Sequence, residues 1–269
     1  MAGWAESLPR LQNGIPRGYG IYGGEYAGSG RPIMNPMGTQ LGGLGVDIDA
    51  VKRAAVSEVI SPTWALTEQY LRVNKVVSQN GELVIADMTF PVEDVAVVWF
   101  PIDGESYYLL IGVECKPLPA LRFIRMSAGN RVSLVVISDN VSLDDLVTAL
   151  PGIEFTETWR KGDVRRKTPH GDILWKYSGF EIEPYAKTSG DVEDKLETVL
   201  ALLKNKRDHM KELSKLADDV EISISYFGYK DDMSGIHLAP DIVRELAELG
   251  VSIDIDLYAS GPDLSEVPE

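Results

Sequence analysis

The chain predicts an α+β fold built as two small sheet-plus-helix domains, the C-terminal one ferredoxin-like or related, with a mostly antiparallel sheet. Three observations lead there. Val220, Ile222, Ile224 and Tyr226 alternate with Glu221, Ser223 and Ser225, and Val251, Ile253, Ile255 and Leu257 alternate with Ser252, Asp254 and Asp256. That period of two belongs to strands with one buried face. Val192, Leu196, Val199, Leu203, Met210, Leu213 and Ala217 instead recur at helical spacing over 26 residues. Asn80-Gly81 and Asp103-Gly104 each stand between apolar runs, where such dipeptides turn hairpins.

Residues 1–46 hold twelve glycines and four prolines. Ordering that much glycine is entropically costly, so an irregular arm is expected. Its aromatics Trp4, Tyr19, Tyr22 and Tyr26 suggest that it wraps on its own domain or on a second copy, giving a route to homo-oligomers. Gly18-x-Gly20-x-x-Gly23 matches a dinucleotide fingerprint only in spelling, because no strand precedes it and no helix follows. The first domain is expected over 47–128. Ile48, Val51, Ala55 and Val59 mark a helix, and Ser61-Pro62 reads as the cap and first-turn proline of a second carrying Trp64 and Leu71. Strands are expected at 73–78, 82–88, 95–100 and 107–113, with Lys116-Pro-Leu-Pro119 opening the link onward.

The second domain is expected over 129–260. It opens with a strand at 132–137. A short helix follows, capped by Ser142 and stopped at Pro151-Gly152. Trp159-Arg160-Lys161-Gly162-Asp163 forms a loop, followed by a basic loop at Arg165-Arg166-Lys167 and a strand at 173–182. The long helix after Asp191 has a candidate break near Asn205. The last helix starts near Pro240 and ends at Gly250. Residues 261–269 read as a frayed acidic tail.

Charge narrows the function classes. Net charge is −15, and residues 131–269 carry 28 acidic and 16 basic side chains against 13 and 10 in residues 1–130. Such a half repels phosphate, so direct nucleic-acid binding is not expected. It suits a partner with a basic surface. No apolar run reaches membrane-spanning length, and the start of the chain lacks secretory character. With a lone cysteine, Cys115, these features point to the cytoplasm. His170, His209 and His237 lack metal-ligand spacing. No nucleophile, phosphate-loop or zinc pattern is present, so neither enzyme chemistry, a cofactor nor a metal is expected.

Asp254 and Asp256 lie two apart on a strand, so their carboxylates share a face about 7 Å apart. Glu221, Ser223, Ser225, Ser252 and Tyr258 are expected on the same face. Trp159 and Arg160 are of the types that dominate interface hot spots, although Trp159 and Trp175 could equally plug the end of the core around a tight turn at Gly162. The candidate partner contacts are therefore Asp254, Asp256, Glu221, Trp159 and Arg160.

Residues 131–258 resemble a bacterial family called domain of unknown function 4279. The likeness is carried by Ser142-Leu-Asp-Asp-Leu-Val, Leu150-Pro-Gly-Ile153, Trp159-Arg-Lys-Gly-Asp163, Trp175-Lys-Tyr-Ser178, the leucine-rich helix after Asp191 and Ile253-Asp-Ile-Asp-Leu-Tyr258. It covers about half of the chain, and no family is recognised in the N-terminal half. The resemblance implies a small α+β binding module, with some members linked to immunity proteins that neutralise bacterial toxins, and it brings no catalytic residues. The expectation is a non-enzymatic binding protein of the immunity type, occluding the active site of a basic toxin such as a nuclease. The alternative is a small-molecule-binding regulatory module with a pocket between sheet and helices or between the domains.

Overall fold

The computed structural model describes residues 46–264 apart from Glu93 and Ala186. Apart from Val46, the glycine-rich arm, its Gly18-Gly20-Gly23 spacing and the self-association assigned to it lie outside the described residues, as do residues 265–269 of the tail. The chain is mixed α+β with mostly antiparallel sheets, as its patterning predicts.

The first domain begins with α1 (Ile48–Ile60), capped by Asp47, whose side chain accepts from the Ala50 amide at 2.9 Å. Val51, Ala55 and Val59 pack it on a sheet. α2 (Ala65–Val73) follows, and its start differs from expectation. The cap is supplied by Glu58, a buried residue near the end of α1, and not by Ser61. Its carboxylate accepts from the Thr63 amide and hydroxyl (2.9 and 2.6 Å), the Trp64 amide (3.1 Å) and the Thr67 hydroxyl (2.5 Å). Burial alone would raise the Glu58 pKa. The hydrogen bonds from Thr63, Thr67 and Trp64 outweigh that and hold it below the ordinary glutamate value.

Hairpin β1 (Ser78–Gln79) and β2 (Glu82–Leu83) turns at Asn80 and Gly81, both with positive φ. Residues 73–78 do not form the expected strand: α2 runs to Val73, and Val76 makes a single bridge to Ile102. β3 (Asp87–Val92), β4 (Val95–Pro101), β5 (Tyr108–Glu114) and β6 (Ala120–Ser127) make an antiparallel sheet in that order. β6 was not anticipated. The outward arginines at 122 and 125 interrupt its apolar pattern, and a register shift opposite Gly112 and Val113 breaks its alternation.

β6 continues through Ala128 into β7 (Gly129–Ser138), the central strand of the second sheet. At Gly129 a Cβ would stand 1.9 Å from the Ser106 carbonyl oxygen, so the chain passes there only without a side chain. Then come α3 (Leu143–Ala149), capped by Ser142, and β8 (Glu157–Trp159), β9 (Val164–Thr168), β10 (Gly171–Leu174) and β11 (Ser178–Ile182). The strand expected over 173–182 is split at Trp175–Tyr177, and the expected Arg165-Arg166-Lys167 loop is strand β9. β9 and β10 form a separate two-stranded ribbon, exposed along most of its length. A ribbon of this kind buries no continuous apolar face, so hydrophobic periodicity does not report it.

α4 (Val192–Leu203) passes through a single 3-10 turn at Lys204–Lys206 into α5 (Arg207–Leu216), the break expected near Asn205. β12 (Asp219–Tyr229), α6 (Pro240–Leu249) and β13 (Ser252–Ser260) complete the domain, with Pro240 at the first turn of α6 and Gly250 as its left-handed cap. The sheet order is β13-β12-β7-β11-β8. β12-β7-β11-β8 is antiparallel throughout and has the βαββαβ connectivity of a ferredoxin-like unit. α6 then carries the chain back so that β13 adds parallel to β12 at the edge. Val132, Leu134, Val136, Phe180, Ile182, Ile222 and Ile224 face α3, α4 and α5 across one core.

Tyr229, at the end of β12, is buried in the core of the first domain beside Tyr70 and Tyr107. Its hydroxyl donates to the Pro262 carbonyl at 2.8 Å, the Leu264 amide donates to Asp231 at 2.8 Å, and Leu264 packs on that core. Residues 261–264 are therefore tied down rather than frayed.

Candidate partner-binding face

Among the described residues, the sheet of the second domain has one face under helices and one without them. Register places the side chains of the uncovered face in rows. Glu157, Glu181, Val135, Glu221 and Ser252 lie across one row, Ser133, Ser223 and Asp254 across the next, and Arg131, Ser225 and Asp256 across a third. Trp159, Gly179 and Ile137 close one end, and Phe227 stacked on Tyr258 at 5.0 Å closes the other. Asp254, Asp256, Glu221 and Trp159 thus share one face.

They differ in availability. Asp254 and Asp256 are exposed on the edge strand, and Glu221 is half-buried. Ser133, Val135, Glu181 and Ser225, at the centre, are buried, so Ser225 is not the exposed residue expected. Arg131 is ion-paired with Glu183 across this part of the face. Trp159 is buried. Its ring stacks on Trp175 at 4.9 Å, and the Arg165 guanidinium lies over Trp175 at 4.7 Å. Under Trp159 a Cβ on Gly179 would be 2.8 Å from the indole and 2.3 Å from the Val136 carbonyl oxygen. The layers Gly179, Trp159, Trp175 and Arg165 therefore form a closed plug. Arg160 lies outside the face, with its guanidinium forked onto Asp144 of α3 by bonds of 3.0 and 2.8 Å. That pairing holds the Asp144 carboxyl below its ordinary range.

β13 departs from the expected one-sided burial. All nine of its residues are exposed, including Ile253, Ile255 and Leu257, the last at 63%. The alternation is real, but α6 buries Leu246 and Leu249 against the core under α4 and α5, and none of the described residues covers the apolar side of β13. Among the described residues the strand pairs on one edge only. Its other edge presents backbone donors and acceptors flanked by an acidic side and an apolar side. Sequence reasoning assigned the apolar residues to the core, because alternation reports a two-sided strand without saying whether a layer covers either side.

Elsewhere, burial raises the Cys115 thiol pKa, and His170, His209 and His237 are exposed and dispersed. Among the described residues no three His, Cys, Asp or Glu side chains gather around a common point, and no helix is long and apolar enough to cross a membrane. In comparisons with known proteins, residues 127–260 match the model of the family described as "Domain of unknown function (DUF4279)", and the N-terminal half matches no family. No curated protein and no solved structure matches the chain.

Proposed function

With residues 127–260 a member of the domain of unknown function 4279 family, we propose that the chain is a non-enzymatic protein-binding module that captures a partner along β13. The observation that carries this reading is an edge strand that, among the described residues, is exposed and singly paired, with aspartates on one side and Ile253, Ile255 and Leu257 on the other. An added strand would gain main-chain hydrogen bonds from the free edge. Lysine or arginine on its acidic-side positions would meet Asp254 and Asp256, and apolar residues on its other positions would cover the isoleucines. A second β13 is a poor occupant, because antiparallel registers centred on residues 254–256 set aspartate opposite aspartate. The fitting partner is cationic. In a bacterial cytoplasm, a toxin with a positive substrate cleft, such as a nuclease, has that surface, and occluding it would make this chain an immunity protein.

Calorimetry on a cognate partner recovered from the native host tests the proposal. Association should weaken as salt rises, and D254K/D256K should weaken it by at least about tenfold, or 1.4 kcal/mol. Salt-independent binding unaffected by that double substitution would contradict the reading.

A further inference from the structure

On the helix-covered side of the same sheet, away from the aspartates of β13, residues of both domains line an open pocket of about 300 Å³. Arg125, Asn130, Asp191, Glu193, Tyr226 and Ser234 contribute to its lining. Asn130, 2% exposed, is held from several sides. Its amide donates to the Thr188 carbonyl at 2.9 Å, its Nδ2 donates to the Gly190 carbonyl at 2.7 Å, and its own carbonyl accepts from Lys195 Nζ at 2.7 Å. Its Oδ1 is buried and accepts nothing. Such an acceptor has lost water without replacement, a cost that a donor arriving in the cavity would remove. Opposite it in register is Tyr226, whose hydroxyl donates to the Ser234 carbonyl at 2.9 Å and so fixes the loop that forms the facing wall.

Two further groups set the charge pattern. Asp191 is the N-cap residue of α4, a twelve-residue helix, yet its side chain makes no capping bond. The positive end of the helix dipole therefore faces the cavity mouth without a side-chain cap. Arg125 supplies a full positive charge there, its guanidinium 5.9 Å above the Phe123 ring. Crowding by protein raises the Asp191 carboxyl above its ordinary pKa, Arg125 opposes that rise, and Glu193 adds to it.

We infer that the cavity is a binding site for a small zwitterion, an ammonium and a carboxylate on one compact molecule of free α-amino-acid type. The ammonium donates to Asn130 Oδ1 and pairs with Asp191. The carboxylate meets Arg125 and the first-turn amides of α4. Because the walls come from both domains and from the loop after β12, occupancy would tie the domains together.

The full chain, titrated calorimetrically with each of the twenty standard amino acids and with methylamine and acetate as single-charge probes, tests this. At least one amino acid should bind with a Kd below about 1 mM, and both single-charge probes at least about tenfold more weakly. R125Q and D191N alter exposed side chains and should fold with an unchanged circular dichroism spectrum. Each should weaken binding of that amino acid at least about tenfold. Binding by none of the twenty, equal binding of methylamine or acetate, or wild-type affinity in both variants would overturn the assignment.

Discussion

Glu58 and Gly179 show how much single positions carry. Glu58 joins two helices through one buried carboxylate that accepts four hydrogen bonds. Replacing it with alanine leaves the buried Thr67 hydroxyl and the Thr63 and Trp64 amides just before α2 without an acceptor, a loss expected to cost about 2–4 kcal/mol. Because its folded pKa lies below the ordinary value of 4.5, the folded state binds fewer protons at Glu58 than the unfolded chain does. Its stabilisation is therefore full above the unfolded value and is lost as pH falls through the folded one. Urea melts should show E58Q less stable than wild type at neutral pH, with the gap narrowing in acid. A pH-independent gap would contradict the assignment. Gly179→Ala should cost about 2–3 kcal/mol through overpacking, because its Cβ would collide with Val136 backbone and Trp159 together. Neither role was legible in the sequence. Glu58 reads as one more polar position of a helix, with its partners five to nine residues ahead, and Gly179 stands in an ordinary mixed stretch, Ser178-Gly-Phe-Glu-Ile182.

At the scale of elements, legibility followed regular patterning: β13, exposed throughout, was read from its alternation, whereas β6, with Ile124 and Met126 buried but its alternation broken, was not. β4, β5, β7 and β12, with core on at least one face, were readable as strands, and the breaks at Lys204–Lys206, Pro240 and Gly250 followed from local chemistry. The misread elements are those whose stability comes from elsewhere. β6 is held by edge pairing, β9 and β10 by each other, and the start of α2 by a remote carboxylate. The candidate site followed the same rule. Alternation placed Asp254, Asp256 and Glu221 on one face, but it could not show that Arg160 is engaged by Asp144 or that Ile253, Ile255 and Leu257 have no cover among the described residues. β13 lends itself to an element-level prediction. Ile255→Lys should leave the melting midpoint nearly unchanged, because the side chain is already 39% exposed, while lowering partner affinity. A large loss of stability would mean that the apolar side of β13 is needed for folding instead.

For the whole molecule, the two domains share structure rather than a linker. β6 and β7 are joined through one residue, Tyr229 leaves the second sheet to sit in the first core, and Asp232 accepts from both the Tyr70 hydroxyl (2.8 Å) and the Met126 amide (3.0 Å). Unfolding should accordingly be a single transition, with far-ultraviolet circular dichroism and tryptophan fluorescence superimposing. Tyr229→Ala should lower stability by about 3–5 kcal/mol without separating the two signals, and two resolved transitions would show independent domains. A rigid frame of this kind holds β13 at one edge with its acidic and apolar sides both presented. The most direct test of that central claim is amide hydrogen exchange along residues 252–260, measured free and with an extended peptide alternating lysine and valine. The account predicts fast exchange at alternate outward amides in the free protein, protection on adding the peptide, and loss of that protection in D254K/D256K and at high salt. Unchanged exchange with saturating peptide, or equal protection by a glutamate–valine peptide, would contradict it.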